Sequence, residues 1–292
     1  MFTTIKTISA REIRELLAQR NFAPRKSLGQ NFLLDRNILE KIAKAAELDP
    51  RDRVLEIGPG LGALTDWLLE GAGRVVAVEY DRGLHSILEE RLAGNEKLRL
   101  FRADFMDVDL AGLTEGPAAG APWKVVANLP YYITTPALFK LVESGIPWKL
   151  MVFLVQKEVA DRMVAPPGGK EYGSLSVMLN FYGRVEKVAA VPKTVFYPAP
   201  QVDSAIVRIR PEWTEETRAL YPLLHRVVQA IFGQRRKTVW NALTGGGIGE
   251  KETIGTILDR LGIDPGRRGE TLTGTEFGAL ARAVRDLNAG RC

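Results

Sequence analysis

Asn128-Leu129-Pro130-Tyr131, followed by Tyr132 and Ile133, brings an amide and an aromatic ring together at the end of an apolar, β-branched run, residues 124–127. That run reads as a buried strand. Pro130 cannot continue a sheet ladder, so the chain turns there. In an open α/β sheet the carboxyl end of a strand is where ligands bind. An amide and a ring suit a flat nitrogen base, the amide bonding its edge and the ring stacking on its face. Taken alone, the string fits a tight strand-to-helix turn with buried tyrosines equally well.

A second constellation lies upstream. Residues 53–57 form a short apolar strand that runs into Gly58-Pro59-Gly60-Leu61-Gly62 and then a helix with Leu64, Trp67 and Leu68 on one face. Strand, glycine loop and helix in that order are a nucleotide-cofactor fingerprint. Glycine lets the backbone approach a ligand where a Cβ would clash. The next strand, 74–78, leads into Glu79, an acid at the spacing that accepts hydrogen bonds from ribose hydroxyls. A dinucleotide loop usually carries a third glycine and holds a pyrophosphate at the helix amino terminus. Here that position is Ala63, and Glu56 precedes the loop. A carboxylate beside the loop disfavours a diphosphate and suits a cofactor with a cationic centre and an α-amino group, such as S-adenosylmethionine. A dinucleotide-dependent dehydrogenase is the rival enzyme class. A third strand, 98–101, leads to Asp104 and Phe105. Asp104 is placed to accept from an exocyclic adenine amine and Phe105 to wall the ring, although an Asp there also caps turns.

The remaining pattern supplies the frame. Ser9-Ala10-Arg11-Glu12 is a capping box for a helix with Ile13, Leu16 and Leu17, ended by Asn21 and Pro24. Residues 25–33, with Arg25, Lys26, Gly29 and Phe32-Leu33, read as an arm ordered by docking or as a plain basic linker. Asp35 caps a helix carrying Ile38, Leu39, Ile42 and Ala46. Residues 112–122 are a Gly-, Ala- and Pro-rich loop. Pro136 opens a helix to Glu143; 149–155 is a strand, 156–164 a helix, 166–173 a loop and 174–182 a helix. Residues 185–191 and 202–209 alternate like a hairpin pair. Between them Pro192, Pro198 and Pro200 stiffen a turn that either poses Phe196 or packs it. Beyond Pro211 the chain is helical at 214–232, 237–243, 251–261 and 275–287. Arg235-Arg236-Lys237 and Arg267-Arg268 are basic clusters, suited to phosphate contacts if the upstream base reader is real.

Composition sets the bounds. The 292 residues are 46% hydrophobic and 26% charged, with a formal charge of +5, so nucleic acid is a permitted partner but not a required one. A single cysteine, Cys292, excludes an intramolecular disulfide framework and a cysteine-based zinc site. His85 and His225 are the only histidines, too few for a His-rich metal centre. No metal and no membrane partner is expected, and the absence of an apolar leader or spanning run points to the cytoplasm.

Together these stretches resemble the KsgA/Dim1 family of ribosomal RNA small-subunit adenine dimethyltransferases. The resemblance is carried by Gln30-Asn31-Phe32-Leu33, Glu56-Ile57-Gly58-Pro59-Gly60-Leu61-Gly62, Glu79, Asp104, Asn128-Leu129-Pro130-Tyr131-Tyr132-Ile133 and Phe196-Tyr197-Pro198-Ala199-Pro200-Gln201-Val202-Asp203-Ser204. The run at 197–200 is less proline-rich than is common in the family. The methyltransferases that modify large-subunit rRNA in macrolide resistance look alike in the first domain. Tyr132, Asp203-Ser204 and the longer tail favour the small-subunit enzymes. A non-catalytic RNA-binding relative is the other alternative.

The resemblance implies an α/β fold, a Rossmann-like S-adenosylmethionine-dependent methyltransferase sheet with helices on both faces, plus a small all-α C-terminal domain. Its expected divisions are a helical extension over 1–25, a cofactor-binding catalytic domain over 26–211, and a helical domain over 212–292 that contacts rRNA. The implied reaction methylates N6 of two adjacent adenosines in a 3′-terminal hairpin loop of small-subunit rRNA within a pre-30S particle, by a monomeric enzyme. Asn128, Leu129, Tyr131 and Phe196 are the expected catalytic set. Gln30, Asn31, Leu33, Glu56, Gly58, Gly60, Glu79, Asp104, Phe105 and Asn128 are the expected cofactor set. Arg25, Lys26, Arg235, Arg236 and Lys237 are the expected RNA contacts.

Overall fold

The structure is a computed structural model that describes residues 10–20, 22–25, 28–114, 122–288 and 290. Ser9 of the expected capping box, Asn21, Lys26, Cys292 and most of the expected 112–122 loop lie outside them. The chain divides into two compact units, one reaching to Ala160 and resuming over Glu186–Arg210, the other made of Asp161–Val185 and the residues from Pro211 onward.

Helix α1 (Ala10–Gln19) and the short strand β1 (Phe32–Leu33) precede α2 (Arg36–Ala45), where the Asp35 carboxylate accepts from the Ile38 N–H at 3.0 Å. Strands and helices then alternate: β2 (Arg53–Ile57), α3 (Ala63–Gly71), β3 (Arg74–Glu79), α4 (Arg82–Arg91), β4 (Leu98–Arg102), α5 (Leu110–Leu113), β5 (Trp123–Asn128), α6 (Thr134–Glu143) and β6 (Leu150–Gln156). Helices α7 (Lys157–Met163) and α8 (Ser174–Tyr182) lead to β7 (Gly183–Val191), β8 (Phe196–Tyr197) and β9 (Ser204–Pro211). Helices α9 (Glu215–Phe232), α10 (Val239–Gly245), α11 (Lys251–Leu261) and α12 (Gly274–Asn288) complete the chain. Helix α6 starts at Thr134, ahead of Pro136, because a proline in the first turn gives up only an N–H that has no helical partner there. The start of the expected 112–122 loop is helical, as the Asp109 side chain caps α5.

The strand order of the large sheet is β4-β3-β2-β5-β6-β9-β7. Its first five strands run parallel, and β9 lies antiparallel to β6. Alternating strands and helices make a parallel sheet, and such a sheet must be covered on both faces. Accordingly both residue parities are buried: Val54, Val75, Val126 and Val152 pack with Leu39, Ile42, Leu64 and Leu68 of α2 and α3, while Leu55, Val76, Val125 and Phe153 are also fully enclosed. Lys124 is a charge within a buried strand, and its ammonium is held by Asp52 at 2.6 Å and by the Ala46 carbonyl at 2.9 Å.

Connections leave the neighbouring strands β2 and β5 in opposite directions. That is the switch point of an open α/β sheet, and a crevice opens at their carboxyl ends. It receives the glycine loop from β2 and Asn128 from β5.

The second unit is built on aromatic packing. Trp213 lies 4.8 Å from Tyr182 and 5.4 Å from Tyr221, and the Phe232 and Phe277 rings stack at 5.7 Å. Helix α8 is apolar nearly all round and packs on α9 and α12, so residues 161–185 group with the C-terminal helices. The sequence-based division at 211/212 placed them with the sheet, because nothing in a largely apolar helix says which partner will cover it.

Candidate active site

Glu56 ends up beneath the glycine loop because β2 carries it to the buried carboxyl end of the sheet. Its side chain is 1% exposed, and Oε2 has no hydrogen-bond partner among the described residues. Burial pushes its pKa up to about 8, with Asp66 and Glu79 adding to the rise and Thr65 and Arg91 opposing it. An enclosed carboxyl with one orphaned oxygen at a cavity wall is the environment a ligand cation would complete.

The loop passes over it with Gly58, Gly60 and Gly62 all at positive φ, 65°, 61° and 82°. The positive φ favours glycine at position 60, and a Cβ there would also crowd the Phe32 ring at 3.3 Å. The Gly60 N–H donates to Glu79 Oε2 at 3.0 Å, and the Asp81 N–H donates to Oε1 at 2.8 Å. Burial raises Glu79 to about 7 in spite of these donors. Replacing Gly60 by alanine is expected to destabilise the folded protein by about 1–2 kcal/mol, the cost of holding an alanine in the left-handed region. Thermal melting reads this directly, and an unchanged melting point would show that the loop tolerates a Cβ.

The arm closes one side of the cavity. Gln30 Oε1 accepts from the Arg25 N–H at 2.7 Å, and its Nε2 donates to Asp81 Oδ2 at 3.2 Å. Both ends of the Gln30 amide are therefore engaged with protein. Arg25 lies 3.6 Å from the same Asp81 carboxylate, whose Oδ1 caps α4 through the Gly83 and Leu84 N–H groups. Asn31 Nδ2 donates to the Gly29 carbonyl at 3.0 Å, and the Asn31 carbonyl accepts from Asn128 Nδ2 at 3.3 Å. Leu33 is buried and lines the cavity beside Gly58 and Gly60.

Asp104 and Phe105, just past β4, line the same cavity. Asp104 Oδ1 accepts from the Met106 N–H at 2.8 Å, and Phe105 is buried with the Lys140 ammonium 5.5 Å from its ring. Asn128 closes β5 with its donor group spent on Asn31, which leaves Oδ1 as its acceptor. Leu129 donates to the Leu154 carbonyl at 3.1 Å and is 1% exposed. Tyr131 lines the same cavity, and its hydroxyl lies 3.1 Å from Ser204 Oγ.

The structure thus gathers Gln30, Asn31, Leu33, Glu56, Gly58, Gly60, Glu79, Asp104, Phe105, Asn128, Leu129 and Tyr131 around one cavity. Phe196 is not among its walls. Strand β8 pairs antiparallel with β1, setting Phe196 opposite Leu33, and the Phe196 ring is buried in the core with Leu39 and Ile206. Its neighbour Tyr197 faces outward instead, as alternation along a strand requires. The exposed residues Arg235, Arg236 and Lys237 belong to the second unit. Two polar residues of the cavity wall were not read from the sequence, half-exposed Tyr80 and Asp81, and Ser204, named there only for the resemblance, lies behind the wall. Asp81 was discoverable, because an Asp directly before a helical stretch is an N-cap signal. The pairing of Ser204 with Tyr131 leaves no trace in local sequence.

A profile of the family described as ribosomal RNA adenine dimethylase matches residues 21–277. The chain is 49% identical over 279 residues to the ribosomal RNA small subunit methyltransferase A of Moorella thermoacetica, covering 92% of this chain and 96% of that one. It is 45% identical over 282 residues to the protein of the same name from Geobacillus kaustophilus, covering 94% and 95%. Among solved structures it is similar to a dimethyladenosine transferase from Plasmodium falciparum, with a TM-score of 0.74, 26% identity and coverage of 89% and 98%. The 23S rRNA methyltransferase ErmE matches with a TM-score of 0.65, 26% identity and coverage of 87% and 100%.

Proposed function

The chain belongs to the ribosomal RNA adenine dimethylase family, and we propose that it transfers methyl groups from S-adenosylmethionine to N6 of two adjacent adenosines in a 3′-terminal hairpin loop of small-subunit rRNA, giving N6,N6-dimethyladenosine. The observation that carries this reading is the cavity at the β2–β5 switch point, where a buried carboxyl with one unpartnered oxygen and an amide acceptor share one wall system. Identity of 45–49% along nearly the whole chain to small-subunit enzymes, against 26% to ErmE, favours the small-subunit substrate over the large-subunit alternative.

The donor set fits the cofactor. The orphaned Glu56 oxygen suits an α-ammonium, Glu79 suits ribose hydroxyls, Asp104 and Phe105 suit the adenine, and the positive-φ glycines admit close backbone approach. When bound, S-adenosylmethionine supplies an electrophilic methyl group on a sulfonium. Adenine N6 is a poor nucleophile because its lone pair is delocalised into the ring. Asn128 Oδ1 and the Leu129 carbonyl accept hydrogen bonds from the N6 amine and favour a pyramidal nitrogen. Tyr131 presents a ring face to the base and to the charge that develops on it, a contact worth about 0.5–2 kcal/mol. Positioning and electrostatics therefore carry most of the acceleration, and the N6 proton passes to water once the methyl group is on nitrogen. The target base must leave its stack to reach this wall, which costs a few kcal/mol.

The second unit carries Arg235, Arg236 and Lys237 as candidate phosphate contacts, and the reading assigns that unit to the rRNA of an immature small subunit in the cytoplasm. The arm acts as a lid tied down at Asp81. Gln30→Ala is expected to speed S-adenosylhomocysteine release about tenfold, the worth of a hydrogen bond to a charged group. Stopped-flow displacement measures that rate, and an unchanged rate would remove Gln30 from the lid. The reading as a whole is tested by incubating the protein with unmethylated small and large subunits and labelled cofactor, then mapping the products. Dimethyladenosine at neighbouring positions of small-subunit rRNA is expected. Label confined to large-subunit rRNA would replace this reading with the alternative.

A further inference from the structure

We infer that Ser204 is a positioning residue for methyl transfer, acting through Tyr131. This rests on the reading that Tyr131 contacts the target base. Ser204 is the first residue of β9 and does not itself line the cavity. Its place is set by sheet register: Asn128 pairs with Leu154 across β5 and β6, Leu154 with Ile206 across β6 and β9, and Gln156 with Ser204 at the end of that ladder. A further backbone bond, from the Lys157 N–H to the Asp203 carbonyl at 2.9 Å, holds the entry to β9. The Ser204 side chain is 1% exposed, and its hydroxyl meets the Tyr131 hydroxyl at 3.1 Å.

The consequence is mechanical. Tyr131 sits in a one-turn 3-10 segment, Tyr131–Ile133, after Pro130, and its neighbour Tyr132 is half-exposed. Such a turn is a weak anchor for a ring that must meet a base at a defined angle. The bond to Ser204 ties the ring's far end to a strand two places across the sheet from Asn128. The amide acceptor and the aromatic face are then referenced to one rigid ladder, the condition under which positioning contributes to rate. A buried serine hydroxyl without that partner would lose its hydrogen bond, so the pair is mutually dependent.

The test is a double-mutant cycle on the full chain, with unmethylated small subunits and labelled S-adenosylmethionine. Ser204→Ala and Tyr131→Phe each remove the same bond and should each lower kcat about three- to tenfold, with KM for S-adenosylmethionine unchanged within about twofold. The double variant should be no slower than the slower single one. Wild-type turnover for Ser204→Ala overturns the proposal. So does multiplication of the two losses, or a loss seen in cofactor KM rather than kcat. Tyr131→Ala separates the premise from the proposal: intact turnover there removes Tyr131 from the target wall, whereas its loss beside an unaffected Ser204→Ala rejects Ser204 alone. Thermal melts of each variant confirm that folded proteins are compared.

Discussion

Asn128→Ala is expected to lower methyl transfer by roughly 100- to 1,000-fold while leaving S-adenosylhomocysteine affinity within about tenfold of the parent, the size of effect seen when one preorganised polar group at a reacting centre is removed. The split follows from how the amide is used. Its Nδ2 is committed to the Asn31 carbonyl at 3.3 Å, a contact that steadies the arm, and one neutral hydrogen bond of that kind contributes about 0.5–1.5 kcal/mol. Its Oδ1 is the acceptor left for the substrate amine. Removing both groups should therefore cost a little in cofactor binding and much in the chemical step. Single-turnover transfer and calorimetry, run on the same preparation, separate the two. Equal losses in both would make Asn128 an arm anchor with no part in the reaction. Undiminished transfer would detach it from the site altogether.

Glu56→Gln should do two things that ordinarily oppose one another: stabilise the apoprotein at alkaline pH and weaken the cofactor. Glu56 has a folded pKa of about 8 against an ordinary value of 4.5, because burial disfavours its charge. The folded apoprotein then holds a proton that the unfolded chain releases. Its contribution to stability is fully present below pH 4.5 and is lost as pH rises through 8. Glu79, raised to about 7, contributes in the same direction over a narrower window. A neutral amide of the same shape removes the Glu56 part of that slope. The Glu56→Gln apoprotein should melt several degrees above the parent at pH 9, on the order of a few kcal/mol of recovered stability, with little difference at pH 5.

A cationic ligand group reverses the preference, since it binds the ionised carboxylate. Parent affinity for S-adenosylhomocysteine should therefore rise by up to about tenfold per pH unit toward pH 8, with proton release visible as a dependence of the binding enthalpy on buffer. The variant should bind more weakly at pH 8 and show a shallower slope, the remainder coming from Glu79. An apoprotein whose melting responds to pH identically with and without Glu56 would refute the buried-carboxylate account whatever happened to activity.

Local signals in the sequence were enough to find most of the groups that line the cavity. Glycines that need positive φ, an acid at the end of the following strand, and an amide before a proline each announce themselves within a few residues. These groups, with Asp104 and Phe105, line a single cavity because each stands at or just past the carboxyl end of a strand in the parallel part of one sheet. The alternation of short apolar strands with amphipathic helices also announced that sheet.

Pairing and packing decided the rest. The two residues of β8 have no pattern of their own, and a one-residue slip would exchange the faces of Phe196 and Tyr197; the register with Leu33 and Phe32 is what buries the first and exposes the second. The Gln30 amide is spent on Asp81, and the Tyr131 hydroxyl on Ser204, across 51 and 73 positions of chain. Helix α8 groups with the C-terminal helices because a largely apolar surface takes whatever apolar surface meets it. Residue type and spacing are properties of a few neighbours along the chain, so the sequence by itself determined which candidate groups there are and at which strand ends they stand. Which side of a short strand faces inward, and which polar group finds which partner, depend on segments far away along the chain, and those only the tertiary structure decided.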